Sequence, residues 1–390
     1  MSAAEKIKTK IESEIHDGGP IPFSRYMDIC LYDPAFGYYS THADQFGKTG
    51  DFYTSSDVHA VFGRLLARQF EEMWRALDSP PQIEILELGP GRGLFARDVL
   101  DWSKKKFPDF FTALMYTLQE GSPALRGKLQ TTLADHIRDG KTKVPGESAD
   151  AAQSGPNAPS VTRALYPETP LIVFANEFFD ALPVEILSPR GKLHLALENN
   201  RLREAWLPPR SEELEFLDHY GVHPEGEERI EVPILAQSWM CQIAQAVQRG
   251  MLIVIDYGYT RSEQLAGRHR GTLMAYRRHS ASPDPYQAPG VQDLTAHVNF
   301  TALAAACEQS GMRCEKLRTQ AQFLMGLGEK NQFSDAFEEC RLPQERAKVA
   351  LQLKHLVSPE AMGETFQVFL ASRGVDAGKV SSLSGLTLGA

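Results

Sequence analysis

Long hydrophobic runs are missing from this chain, and so are any local concentration of cysteine and an overall excess of positive charge. No uninterrupted apolar stretch approaches a membrane span; the longest, such as GMLIVID at 250–256, have the size of a strand. The N-terminus, MSAAEKIKTKIESEIHDGG, mixes acids with bases and lacks an apolar core, so it does not read as a secretory signal. Its glutamates Glu5, Glu12 and Glu14 argue against an arginine-rich, acid-poor transit peptide. A bacterial cytoplasm is the expected home, or the mitochondrial matrix if the chain is eukaryotic. The five cysteines, at 30, 241, 307, 314 and 340, are scattered without a C-x-x-C pair. That argues against a disulfide framework and a structural zinc site, and no metal is expected. The net charge is −9, from 41 basic and 50 acidic residues. Such a balance disfavours binding that depends on neutralising nucleic-acid phosphates. What is present is a globular composition: 390 residues, 42% hydrophobic and 23% charged, enough for one large domain with insertions or for two or three ordinary ones.

Along the chain, a helix-like stretch at about 3–16 runs into a turn at Gly18–Pro22, and 23–58 is aromatic and polar without a sustained period. Residues 57–77 carry apolar groups at helical spacing after Ser56 or Asp57. Strands are expected at 83–88, 114–120, 171–175, 251–256, 312–319 and 364–371, with helical spacing at 93–106, 233–249, 299–310 and through 320–356. Residues 141–162, rich in Pro, Gly, Ser and Ala, read as a long surface loop or a disordered insertion. The alternation over 184–232 predicts an antiparallel hairpin with Asn199–Asn200 near its turn. The Gly/Ser-rich tail, 373–390, is expected to be flexible. Strands alternating with helices predict an α/β fold with a mostly parallel, doubly wound sheet, whose ligands bind beyond the carboxyl ends of the strands.

One strand end stands out. ILELGPGRG runs into Gly89, Pro90, Gly91 and Gly93. Glycine lets the backbone turn sharply and lets a ligand approach main-chain N–H groups. No G-K-[ST] follows, so this is not a phosphate-binding P-loop, and the spacing is not G-x-G-x-x-G. An acid two residues before the first glycine, Glu87, suits a cationic cofactor and would repel a pyrophosphate. S-adenosylmethionine carries sulfonium and ammonium groups and no phosphate. The second strand ends in Glu120, Gly121 and Ser122, where an acid can accept hydrogen bonds from two ribose hydroxyls. Glu120 follows Gly89 by 31 residues, and the segment KKKFPDFFTA absorbs the excess over the usual spacing.

At this point the chain resembles the MidA-like methyltransferases, whose eukaryotic members are mitochondrial complex I assembly factors. The likeness runs in order through YMDICLYDPAFGYYS (26–40), GDFYTSSDVHAVFGRLLA (50–67), LELGPGRG (86–93), NEFFDALPVE (176–185), IDYGY (255–259) and PGVQDLTAHVNFTAL (289–303). The resemblance implies a Rossmann-like class I methyltransferase fold, S-adenosyl-L-methionine as cofactor, and methylation of an arginine in a protein, of the respiratory complex I subunit type. Where the family usually reads TSPE, Thr54–Asp57 reads TSSD, and where it often reads HVDF, His297–Phe300 reads HVNF. The glycine turn is unaffected. The expected organisation is an N-terminal helical and cofactor-covering segment (1–80), a first part of the core (81–183), an inserted hairpin and helix for partner recognition (184–249), a second part of the core (250–372) and the tail.

The stretch LIVFANEFFDALPVE, 171–185, ends a buried strand with Asn176, Glu177 and Asp180. Locally, Asn176 can cap a helical turn, with Glu177 favoured at its positive end. In the methyltransferase fold this is the fourth strand, beside the transferable methyl group. There, Glu177 and Asp180, three apart on one face of a helical turn, could grip a planar guanidinium, and Asn176 could position cofactor or substrate backbone. GDFYTS is a polar turn before a helix that either closes over the cofactor, with Asp51 and Thr54 inward, or only caps that helix. His297 is a candidate general base, since histidine titrates near neutrality. Asp256 and Tyr257 could line the substrate mouth; Tyr32, Tyr38 and Tyr39 are pocket wall or core. Lys104–Lys106 reads as a solvated helix end. Three functions stay open on sequence alone: a protein-arginine methyltransferase, a methyltransferase of nucleic acid or a small molecule, and a cofactor-binding assembly chaperone that transfers nothing.

Overall fold

Two hydrophobic runs, Leu171–Asn176 and Gly250–Tyr259, lie side by side and parallel, Leu171 opposite Gly250 and Asn176 opposite Ile255. They form the middle of a nine-stranded sheet in the computed structural model, which describes residues 1–41, 60–144, 161, 168–199, 201–277 and 280–388. Across the sheet the order is Arg313–Cys314, Phe366–Arg373, Gly250–Tyr259, Leu171–Asn176, Ile83–Leu88, Leu114–Gln119 and Thr142–Lys143. Phe366–Arg373 runs antiparallel to Gly250–Tyr259; the strands from there to Thr142–Lys143 are mutually parallel. The chain leaves Ile83–Leu88 to one side for its second strand and returns to the other side for Leu171–Asn176. That reversal opens a crevice at the strand ends.

Both faces of this sheet are covered, which is why its strands read as continuous apolar runs rather than alternating ones. Ile83, Ile85, Ile172, Phe174, Ile253 and Ile255 point to one core, which takes the helices Ala60–Ala76 and Leu94–Lys106. Leu86, Leu88, Val173, Ala175, Leu252 and Val254 point to the other. Phe95 and Phe174 stack with centroids 4.5 Å apart, joining the helix after the glycine turn to the fourth strand. Replacing a fully buried Phe174 by alanine would cost about 3–5 kcal/mol.

A second, five-stranded sheet contains the expected hairpin: Gly191–Glu198 pairs with Arg201–Leu207, Glu198 opposite Arg201. Asn199 takes the left-handed φ of 50° that a two-residue hairpin turn needs. The same sheet includes Ile21–Pro22, so the N-terminal segment and the insertion form one unit. Ile7, Ile11 and Ile15, spaced by four along the helix Ala3–Gly18, share a core with Leu193, Leu195, Ala275 and Leu294. The helix expected in the insertion, Ile234–Ala246, instead buries Ala236, Trp239, Met240 and Ile243 against the main sheet, so the insertion ends before it.

Other segments also differ from expectation. The supposedly flexible tail is packed: Val380, Leu383 and Leu386, at a helical spacing of three, are buried in the main core. Ser384 donates from N and Oγ to Glu72 at 2.8 and 2.6 Å, and Gly385 N to Gln69 at 3.1 Å. Small residues permit the approach, since a Cβ on Gly326 would fall 2.4 Å from Ser384 O. Ser384 and Gly385 are thus packing residues. The aromatic stretch after Pro22 is a helix, Phe23–Tyr32, buried on so many sides that no period shows. Lys104 and Lys105 are exposed, as expected of a solvated helix end, while Lys105 and Lys106 also lie over the Trp102 ring and pair with Glu339 and Glu338. No helix among the described residues is long and apolar enough to cross a membrane, and no metal-binding cluster occurs among them.

Candidate active site

The glycine turn closes the first strand. Gly89, Gly91 and Gly93 have φ of 63°, 54° and 75°, which L side chains rarely adopt. A Cβ at Gly89 would approach Phe178 to 3.0 Å and one at Gly93 would meet Leu129 at 2.7 Å, whereas one at Gly91 would meet nothing within 4 Å. The turn is therefore packed on both flanks and open in its middle, with Pro90 buried beside it.

Glu120 reaches this opening from the end of Leu114–Gln119. It accepts the N–H of Gly91 at 3.2 Å through Oε2 and that of Ser122 at 2.9 Å through Oε1. Burial pushes its carboxyl up to about 7 despite those bonds. Glu87 is buried under the turn, takes the Tyr116 hydroxyl at 2.9 Å, and is pushed up to about 8 by burial, with Glu120 adding repulsion. Two buried acids, Glu87 repelled by Glu120, make a site in want of positive charge and hydroxyl donors, and hostile to phosphate. S-adenosylmethionine fits that donor set. Ser122 sits behind it: its hydroxyl accepts Leu125 N at 3.3 Å, capping Pro123–Thr132, and donates to Tyr39 O at 2.9 Å. Gly121 offers its carbonyl to Arg126 at 2.9 Å. Asp51, Thr54 and Asp57 lie outside the described residues.

At the fourth strand end no helical turn forms over 177–180, so Glu177 and Asp180 are not paired by helical spacing. Glu177 has a φ of 50°, and its N–H donates to Ile255 O at 2.9 Å. The expected cap by Asn176 is absent; its amide donates to Glu177 Oε1 at 3.0 Å. The capping acid comes instead from the next strand. Asp256 Oδ2 accepts the N–H groups of Phe178, Phe179 and Asp180 at 3.2, 3.0 and 3.4 Å, and Oδ1 accepts that of Tyr257 at 3.0 Å. Asp256 is wholly buried, so it holds the turn from beneath and does not line the substrate mouth. Burial, then Asp180 and Glu177, raise its proton affinity far above the carboxylate norm. Sequence offered one clue to this role, an acid at the end of an otherwise apolar strand.

Asp180 turns inward. It is 4% exposed, its Oδ2 accepts the Tyr257 hydroxyl, and burial pushes its carboxyl up to about 6. Asp180 Oδ1 and Asn176 Oδ1 are buried without a hydrogen-bond partner among the described residues. Tyr32 donates to Ala181 O at 2.8 Å and Tyr39 to Asp293 Oδ1 at 2.9 Å, so the N-terminal segment braces this turn; Tyr38 is core. His297 packs on Tyr257 with centroids 5.3 Å apart, and its Nδ1 lies 3.2 Å from that of His269. Burial and His269 push it down to about 4. Asn299 caps Phe300–Gln309, accepting Ala302 N at 3.0 Å and donating to Tyr220 O at 2.9 Å, a structural role.

A doubly wound sheet, a left-handed glycine turn and an acid at the end of the second strand define a Rossmann-like, nucleoside-cofactor methyltransferase. The chain belongs to the Methyltransf_28 family of S-adenosyl-L-methionine-dependent methyltransferases, whose model matches residues 65–318. It is 29% identical to the Drosophila melanogaster protein arginine methyltransferase NDUFAF7 homolog, mitochondrial, over 96% of this chain and 85% of that one. It is 27% identical to the human mitochondrial protein arginine methyltransferase NDUFAF7 over 91% and 81%. A Burkholderia thailandensis protein solved with S-adenosyl-homocysteine bound superposes with a TM-score of 0.79 at 27% identity, covering 98% of this chain and 95% of that one. The protein is an S-adenosylmethionine-dependent methyltransferase.

Proposed function

We propose that this enzyme methylates an arginine side chain of a protein partner, a respiratory complex I subunit being the class that the family resemblance implies. The observation that carries this reading is the cluster of acids Glu177, Asp180 and Asp256 at the end of the fourth strand, which pairs directly with the strand leading into the glycine turn. A guanidinium stays charged at all working pH and bonds carboxylates through a planar fork of donors. It would relieve the repulsion among Asp180, Glu177 and Asp256. The names of the relatives at 27–29% identity support the same substrate class.

On this reading Gly89, Pro90, Gly91 and Gly93 cradle the cofactor, Glu120 and Gly121 take its ribose, and Glu87 favours its positive charge from beneath. Bound S-adenosylmethionine supplies an electrophilic methyl group. Glu177 and Asp180 hold the acceptor nitrogen in line with it, because most of the catalysis in such a displacement is alignment. Asn176, whose Oδ1 has no partner among the described residues, orients cofactor or substrate backbone. The five-stranded sheet is the partner-recognition surface, its edge strand Arg201–Leu207 leaving Arg201, Arg203 and Leu207 exposed.

The test is methyl transfer from labelled S-adenosylmethionine into a lysate lacking the enzyme. Label in one protease-sensitive band, released as methylarginine on hydrolysis, is the expected result. Label that resists protease, or is released by nuclease, overturns the protein-arginine reading.

A further inference from the structure

A nitrogen that carries hydrogen ends methyl transfer with one proton too many, so the site needs an acceptor beside that nitrogen. His297 is poorly suited: its Nδ1 faces His269 at 3.2 Å, its ring packs on Tyr257, and burial makes it a weak base. Asp180 is better placed. Its main chain is fixed from two sides, by Ala296 N donating to its carbonyl at 2.9 Å and by its own N–H directed at Asp256 at 3.4 Å. One carboxylate oxygen, Oδ2, is tied to the Tyr257 hydroxyl; the other, Oδ1, is buried without a partner among the described residues.

We propose that Tyr257 is a positioning residue that fixes Asp180 through Oδ2 and leaves Oδ1 to take the proton released by the methylated nitrogen. The inference rests on the substrate reading above. In the balanced step, nitrogen gains a bond to the methyl carbon, and the bond from that carbon to sulfur breaks with its pair left on sulfur. The N–H pair stays on nitrogen, and the proton passes to Asp180 Oδ1 and later to water. Around Asp180 lie Tyr257 and Asp256 on Gly250–Tyr259, Glu177 on its own turn, and Tyr32 and Tyr39 from the N-terminal segment. Tyr276 and Asp293 approach from the three-stranded sheet of Met274–Arg277, Ser280–Ser282 and Asp293–Thr295, with His297 behind Tyr257. Burial raises the proton affinity of Asp180 and the Tyr257 hydroxyl draws it back, to about 6. An acceptor tuned close to working pH is the most effective kind.

The experiment pairs a carbon-13 titration of the aspartate carboxyls with the pH dependence of labelled-methyl incorporation into lysate protein. Both use the full chain saturated with cofactor or its demethylated product, and the Asp180 signal is assigned by its loss in Asp180→Asn. The acidic limb of the rate should coincide with the Asp180 midpoint. Tyr257→Phe, which keeps the ring, should move both upward by roughly one pH unit, because a hydrogen bond to the charged form is lost. His297→Gln should move neither. A limb that stays put while the Tyr257→Phe carboxyl moves, or that follows His297→Gln, overturns the proposal. If Tyr257→Phe does not fold, judged by S-adenosyl-homocysteine binding, Asp180→Asn decides: an unchanged acidic limb in it removes Asp180 as acceptor. Label recovered on something other than arginine ends the arginine reading alone, since the carboxyl titration and the limb still report on Tyr257 and Asp180.

Discussion

The hydrogen bonds that shape the glycine-turn end of the site, from Gly91 to Glu120 and from Tyr116 to Glu87, join residues 29 apart in sequence. Those that shape the turn at Asn176–Asp180 reach much further: Tyr257 to Asp180 spans 77 residues and Tyr32 to Ala181 spans 149. The cofactor end is thus made within one strand–helix–strand unit, whose geometry follows from a few glycines and two strand-end acids. The turn proposed as the acceptor end is assembled by the N-terminal segment, the fourth strand, the fifth strand and the three-stranded sheet together.

Removing the bracket beneath the acceptor turn should have the largest effect. Asp256→Ala strips four N–H groups of their acceptor, three of them in the turn above it, each costing about 1–3 kcal/mol if left unmet, so stability should fall by roughly 4 kcal/mol or more. Urea unfolding measures this, and methyl transfer should be lost with it. Asp256→Asn keeps one acceptor oxygen and should fall between. A stability within about 1 kcal/mol of wild type in Asp256→Ala would mean that the turn is held by something else.

The two ends should also separate functionally. Glu120→Gln should weaken S-adenosyl-homocysteine binding on the order of ten- to a hundredfold, the worth of losing charged hydrogen bonds. Asp180→Asn should leave that affinity within about twofold, as expected for a group outside the cofactor site, while abolishing transfer. Calorimetric titration of both variants decides; equal losses would collapse the distinction between the ends.

The same contrast explains what could be read from residues alone. The parallel sheet and its crevice were legible because buried strands announce themselves as apolar runs, and the glycine turn because its positive φ values demand glycine. The partnership of Glu87 with Tyr116 was not legible, yet both lie on strands that were. Asp256 is another matter: a buried acid at a strand end looks the same whether it faces a substrate or the backbone of a neighbouring turn. Only the register that sets Asn176 opposite Ile255 brings it under Phe178–Asp180. The packed tail was missed for a simpler reason. Val380, Leu383 and Leu386 are diluted by glycine and serine, and those small residues are what let the chain approach Gly326 and Gln69.

The carboxyls at the cofactor end predict a pH dependence of stability. Glu87 and Glu120 titrate at about 8 and about 7 in the fold, against 4.5 for an ordinary glutamate. Between those values the folded chain binds more protons than the unfolded one, so stability should fall as pH rises through that window. The protein without cofactor should therefore lose a few degrees of Tm between about pH 5 and 8. Glu87→Gln, neutral throughout, should flatten much of the slope. A Tm that rises over this range in the wild type would show that these acids are ionised at little cost.

The smallest expected effect concerns Ser122, which lies next to Glu120 and yet spends its hydroxyl on Leu125 N and Tyr39 O. Ser122→Ala should cost about 1 kcal/mol, the usual worth of a helix cap, and leave cofactor affinity unchanged because the N–H that Glu120 accepts belongs to the main chain. Measured together, denaturation and S-adenosyl-homocysteine binding separate the two possible roles of this residue. A loss of affinity exceeding the loss of stability would move Ser122 from the scaffold into the cofactor site. It would also make the hydroxyl's bond to Tyr39 O a link between the two ends, through which the N-terminal segment bracing the acceptor turn could sense whether cofactor is bound.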